Sequence, residues 1–147
     1  MQRIQIRHDA PSHGWLPLRL SVSGHEIDII VSDVPNNPIQ ELLEALESAA
    51  RGREASVWLH LEPDGYFMRF SPIGDEINLL LEFAAASKSS RAEDVLSVQG
   101  SRVEILLPFW RFLRDFQSYD YSEPDWPRVD YGRIAAVKEA IGVSHEY

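Results

Sequence analysis

At 147 residues, with 44% hydrophobic and 25% charged side chains, the chain has the composition of a globular protein and the length of one α+β domain, residues 1–147. A net charge of −9 disfavours nucleic acid and anionic membranes as partners and favours a basic protein. The absence of cysteine excludes disulfides, thiolate metal sites and cysteine nucleophiles, and suits a reducing, cytoplasmic setting.

The N-terminal stretch Arg3 to His8 alternates like a short strand and lacks a signal-peptide core. No apolar run of about 18 residues follows anywhere, so no membrane span is expected. Trp15 to Val31 reads as a hairpin. Gly24-His25 as its turn pairs Val22 with Ile27, Leu20 with Ile29 and Leu18 with Val31, and places Pro17 on an edge. Asn37 then caps a helix whose first residue is Pro38. Ile39, Leu42, Leu43, Leu46 and Ala50 form its apolar stripe, and Gly52 stops it.

Val57 to Phe83 predicts a three-strand meander. Taking Asp64-Gly65 as a two-residue turn sets Leu61 opposite Met68, Leu59 opposite Phe70 and Val57 opposite Pro72. The second turn, Gly74-Asp75, sets Phe70 opposite Leu79 and Met68 opposite Leu81. All these apolar residues share one face, because side chains alternate along a strand. The other face carries Trp58, His60, Glu62, Phe67, Arg69, Asn78, Leu80 and Glu82. His60 is expected beside Arg69, and Glu62 beside Phe67 and near Glu82.

Ser87 to Arg91 is a polar connector, and Val95 to Val98 a short strand. Ser101 and Glu104 match a capping box. Two readings follow: a helix from Arg102 kinked at Pro108, which is preferred, or a strand from Arg102 to Leu107 with Pro108 opening a shorter helix. Phe109, Trp110, Phe112, Leu113 and Phe116 exceed one narrow stripe, so some must meet the tail or a partner. Ser118 to Pro127 is acidic, aromatic and irregular. Asp130 caps a last helix with Ile134, Val137 and Ile141 inward and Gly142 as its stop.

These elements predict an α+β fold: an antiparallel or mixed sheet of about five strands, built from two hairpin units, with about three helices. No spacing of His, Asp or Glu matches a two-ligand metal motif, and neither a nucleophile elbow nor a phosphate-binding loop occurs, so no metal, cofactor or catalytic set is expected. The balance falls against an enzyme. Aromatics interleaved with acids suit a protein interface, where rings bury area at low entropy cost and carboxylates steer a basic partner. The candidate protein-binding residues are Phe112, Phe116, Tyr119, Asp120, Tyr121, Glu123, Asp125 and Trp126. The alternative is a small-molecule face, ligand-binding or catalytic, formed by Trp58, His60, Glu62, Arg69 and Glu82. Homo-oligomerisation through the second sheet face or the aromatic helix is a further option.

Between Asn36 and Phe70, a group of residues resembles a family of small uncharacterised bacterial proteins. They are Asn37-Pro38, Leu42-Leu43, Ala45-Leu46, Arg51-Gly52, Trp58, Glu62-Pro63, Gly65-Tyr66, Arg69 and Phe70. The resemblance covers about a quarter of the chain, in caps, turns and core positions, and implies a scaffold without any catalytic residue. By size and charge, such proteins look like immunity proteins, which block toxins of competing bacteria.

Overall fold

The computed structural model describes residues 4–89, 91–119, 121–122 and 124–142. Seven strands and three helices follow in the order β1 (Ile4–His8), β2 (Trp15–Val22), β3 (His25–Ser32), α1 (Pro38–Ala50), β4 (Ala55–His60), β5 (Gly65–Ile73), β6 (Glu76–Ala84), β7 (Ala92–Ser101), α2 (Arg102–Gln117) and α3 (Ile134–Ile141). They form two antiparallel sheets, β1-β2-β3 and β4-β5-β6-β7. This corrects the expected single sheet of about five strands. β3 lies beside β4 without pairing with it. The reason is visible at Trp58, the edge residue of β4. Its N–H donates to the Glu41 carboxylate at 3.1 Å, and its carbonyl accepts from the Asn36 amide at 2.9 Å. Side chains from α1 and its leading loop occupy the bonds a neighbouring strand would need.

The helix caps follow the sequence. Asn37 Oδ1 accepts from the N–H groups of Ile39 and Gln40, at 3.1 and 3.4 Å. Gly52, at φ 86°, ends α1 with the Arg53 N–H returning to the Ser48 carbonyl at 2.9 Å. Ser101 and Glu104 complete the capping box of α2, so residues 102–107 are helical and Pro108 lies inside the helix. The last helix begins later than expected. Asp130 Oδ1 instead accepts from the Gly132 N–H at 2.9 Å, a local turn, and Arg133 precedes the first helical residue without a side-chain cap.

Registers keep their parity, but only one of the three expected hairpins keeps its pairings. The β5–β6 pairs Phe70–Leu79 and Met68–Leu81 are as read from Gly74-Asp75. β2 and β3 slip by two, pairing Val22 with His25 and Leu20 with Ile27 around Ser23-Gly24. The two-residue turn moves back by one position, and the apolar side stays inward. Pro17 lies in the central strand of its sheet rather than on an edge, opposite Ile30. β7 runs for 10 residues rather than four, with a bulge opposite Leu81 and Glu82.

The meander's first turn is the larger correction. β4 and β5 pair Val57 with Met68, Leu59 with Tyr66 and His60 with Gly65. The loop is Leu61 to Asp64, closed by the Leu61 N–H to the Asp64 carbonyl at 2.8 Å. Gly65 serves close packing rather than the turn: a Cβ there would collide with the Leu59 carbonyl oxygen and lie 2.7 Å from the Trp58 ring.

α2 joins the layers. It packs on β1 of one sheet, β6 and β7 of the other, and both remaining helices. Ile105, Leu106, Leu107, Phe109, Trp110, Phe112, Leu113 and Phe116 are all buried, which is the pattern of a helix enclosed on most sides. The surplus aromatics are taken up internally. Phe109 meets Phe70 edge-on at 5.3 Å, and Phe116 meets Tyr121 and Trp126 at 5.2 and 6.3 Å. Phe116→Ala should therefore cost about 3–5 kcal/mol in urea unfolding, as for other buried aromatic truncations. A residue reserved for a partner would leave stability unchanged.

Candidate functional site

The four-stranded sheet turns one face to α1 and α2 and the other away from every helix. β4, β5 and β6 set a row across that outer face. His60 and Trp58 stand on β4, Phe67 and Arg69 on β5, and Glu82 on β6, with Phe67 directly between Trp58 and Glu82. The Trp58 indole N–H donates to His60 Nδ1 at 2.9 Å. Indole only donates, so Nδ1 is the bare nitrogen and the proton of a neutral His60 sits on Nε2. The Trp58 and Phe67 rings lie 4.7 Å apart. The Arg69 guanidinium sits 4.4 Å from the centre of the Phe67 ring and donates to the Glu82 carboxylate, forming an ion pair.

His60 and Arg69 are therefore not neighbours: His60 pairs with Gly65 and Arg69 with Ser56. Glu62 stands in the loop, exposed and at φ 116°, away from the row. Of the expected ligand face, Trp58, Arg69 and Glu82 share the row with His60, and Glu62 does not. Trp58 is buried at 7% exposure although it belongs to the outer face, because Gly65 lets its ring lie flat on the sheet. The charge of Arg69 is matched and the Nδ1 of His60 is occupied. The row suits recognition better than proton transfer, since its polar groups already have partners within it. Among the described residues, no group of three His, Asp or Glu could hold a metal ion, and no helix is long and apolar enough to cross a membrane.

The acidic aromatic tail sits differently. Phe112, Phe116 and Trp126 are 3%, 0% and 0% exposed, so they belong to the core. Tyr121 is half-buried against Phe116. Tyr119 stays exposed with the His8 ring edge-on at 5.2 Å. Asp125 is half-buried and used: its carboxylate accepts from the His13 N–H at 3.1 Å, and its carbonyl from the Gly14 N–H at 2.8 Å. Asp120 and Glu123 lie outside the described residues. Further along, the Asp130 N–H donates to Gln40 at 2.7 Å and the Trp110 indole to the Ile134 carbonyl at 2.9 Å. Arg133 pairs with Glu47 on α1 and, by that hydrogen bond first, holds its carboxyl below the usual range. The tail is thus fastened to α1, α2 and the loop before β2.

Surface features that the sequence reading missed lie on the smaller sheet. Trp15, Ile30 and Val34 are exposed, and Trp15 and Ile30 share its outer face. A groove of about 680 Å³ separates β1 from α2, with Arg7 and Arg111 in its walls. No local signal marks either, because both depend on which strand ends at a sheet edge.

No protein-family model matches the chain, and no curated protein matches it significantly. Among solved structures, a chain of the CdiA-CT/CdiI toxin and immunity complex from Enterobacter cloacae superposes on 78% of this chain and 99% of its own. The TM-score is 0.46 and the identity 7%. At those values the likeness carries no argument about fold or function.

Two outcomes test this geometry. Gly65→Ala should force β4 and β5 apart at the Leu59 carbonyl and displace the Trp58 ring, costing about 1–3 kcal/mol or more as overpacking does, with a shifted tryptophan emission. Unchanged emission would disprove the close approach. The Tyr131 hydroxyl is buried without a hydrogen bond of ordinary geometry, though Tyr121 is near enough to influence its titration. Burial first, then Tyr121, raises its pKa above the usual tyrosine value. The unfolded chain ionises there near pH 10, so its stability contribution is intact below about pH 10 and lost as pH rises further. Tyr131→Phe should equal or exceed the wild type at neutral pH and lose less stability by about pH 10.5, read from guanidinium midpoints.

Proposed function

We propose that this protein is a protein-binding module that presents the outer face of its four-stranded sheet to a basic partner. The observation that carries this reading is the composition of that face. It is free of any covering helix and presents Phe67, Arg69 and Leu80, all part-exposed, over the buried Trp58 ring; the ring and the guanidinium are of the types enriched in interface energetics. Around the centre stand Glu76, Glu82 and Asp94, consistent with the net charge of −9 and with steering of a positively charged protein. The specific form we favour is an immunity-type inhibitor: a small acidic protein that neutralises a basic toxin by covering it, needing no chemistry of its own. Tyr119 and the exposed edge of Tyr121 would contribute only if the partner reaches the tail.

The test is growth protection and co-purification with the product of any toxin gene found beside its own. Leu80→Arg should weaken binding at least about tenfold and remove protection while leaving the circular dichroism spectrum unchanged. Tyr119→Ala should bind as the wild type does. Sensitivity to Tyr119→Ala with indifference to Leu80→Arg would move the interface to the tail. Absence of any binding or protection would end the immunity reading.

A further inference from the structure

Sheet edges invite other strands, and folded proteins guard them. Three of the four edges here are guarded. β4 has Asn36 and Glu41 on the backbone of Trp58. β7 has Glu93, Asp94 and a bulge. β3 carries Glu26 and Asp28 and packs beside β4. β1 has no acidic residue and no bulge; its one charge is Arg7, and it packs on α2 by its face rather than its edge. The Asp9 N–H donates to the Pro17 carbonyl at 3.1 Å, so the odd positions of β1 face β2. Ile4, Ile6 and His8 therefore turn their N–H and C=O groups the other way. Among the described residues no side chain takes them up.

Beside β1 runs the groove against α2, lined by Ile6, Arg7, Leu107, Pro108, Arg111 and Phe112, among others. Its walls are apolar where Leu107 and Phe112 stand. Proline at position 108 also leaves the Glu104 carbonyl, in the same groove, without its helical donor. The charges are uneven. Glu104 is committed to the capping box and Asp115 to Arg114. Arg7 and Arg111 are exposed and make no ion pair or hydrogen bond among the described residues. The unmatched charge in this groove is positive, in a chain whose net charge is −9.

We infer that β1 accepts an added strand in this groove: an extended segment of a partner protein that alternates acidic and apolar residues. Main-chain bonds to Ile6 and His8 would supply affinity. Alternate side chains would supply specificity, with apolar groups against Leu107 and Phe112 and carboxylates on Arg7 and Arg111. This surface is separate from the outer face of the larger sheet, so the inference stands or falls independently of the toxin reading.

The probe is an end-blocked, fluorescein-labelled peptide Glu-Val-Glu-Val-Glu, with Lys-Val-Lys-Val-Lys as its counterpart, titrated into the full chain. The acidic peptide should bind, despite the net repulsion, and should slow hydrogen exchange at the amides of Ile6 and His8. Arg7→Glu together with Arg111→Glu should weaken it at least about tenfold and improve binding of the lysine peptide. Ile6→Pro, which removes an outward N–H from an edge strand, should abolish binding. The inference is overturned if the acidic peptide fails to bind below about 1 mM, a minimal affinity for specific capture. It also falls if the lysine peptide binds the wild type equally well, or if the arginine reversals change nothing. Sedimentation revealing a dimer with these amides already protected would assign the edge to a second copy and overturn it too.

Discussion

The fold depends on enclosing α2. Eight of its side chains, from Ile105 to Phe116, are buried apolar groups, more than a single sheet could cover. A helix of that kind is stable in water only when neighbours surround it. β1, β6, β7, α1 and α3 each take a share of its surface. The irregular tail completes the enclosure by delivering Trp126, at 0% exposure, against Phe116. Phe112, Phe116 and Trp126, which look like part of an interface motif in the sequence, therefore belong to the core. The same aromatic excess that would suit a partner has been satisfied within the chain.

Enclosing α2 also separates the sheets. α1 enters between the two hairpin units, and its leading loop and first turn place Asn36 and Glu41 on the edge of β4. Those two hydrogen bonds end one sheet where a continuous one would pass. The outcome is a pair of short sheets with four edges in place of two. That arrangement raises the number of exposed backbone rows, and it explains why edge protection is so prominent here.

The outer face of the larger sheet shows how a polar surface is settled by its own members. Glu82 matches Arg69, Phe67 lies under the guanidinium, and Trp58 donates to His60. Each polar group has a partner before any ligand arrives. A preassembled row of this kind suits contact with a second surface, because little side-chain entropy remains to be lost.

The sequence by itself determined local chemistry. The Asn37 and Ser101 caps, the Gly52 stop, the Gly74-Asp75 turn and the inward parity of Leu59, Met68, Phe70 and Leu79 were all legible, because each depends on residues a few positions apart. Long-range choices were not. Asp64-Gly65 carries a strong turn signal, yet Gly65 lies inside β5, opposite His60 and packed against the Leu59 carbonyl and the Trp58 ring, so the register differs from the local reading. His60 and Arg69 parted for the same reason. Whether Phe112, Phe116 and Trp126 would face a partner or each other also lay beyond local patterning. Only the packing around α2 decided it, since hydrophobic burial is non-directional and takes whichever apolar surface the topology brings near.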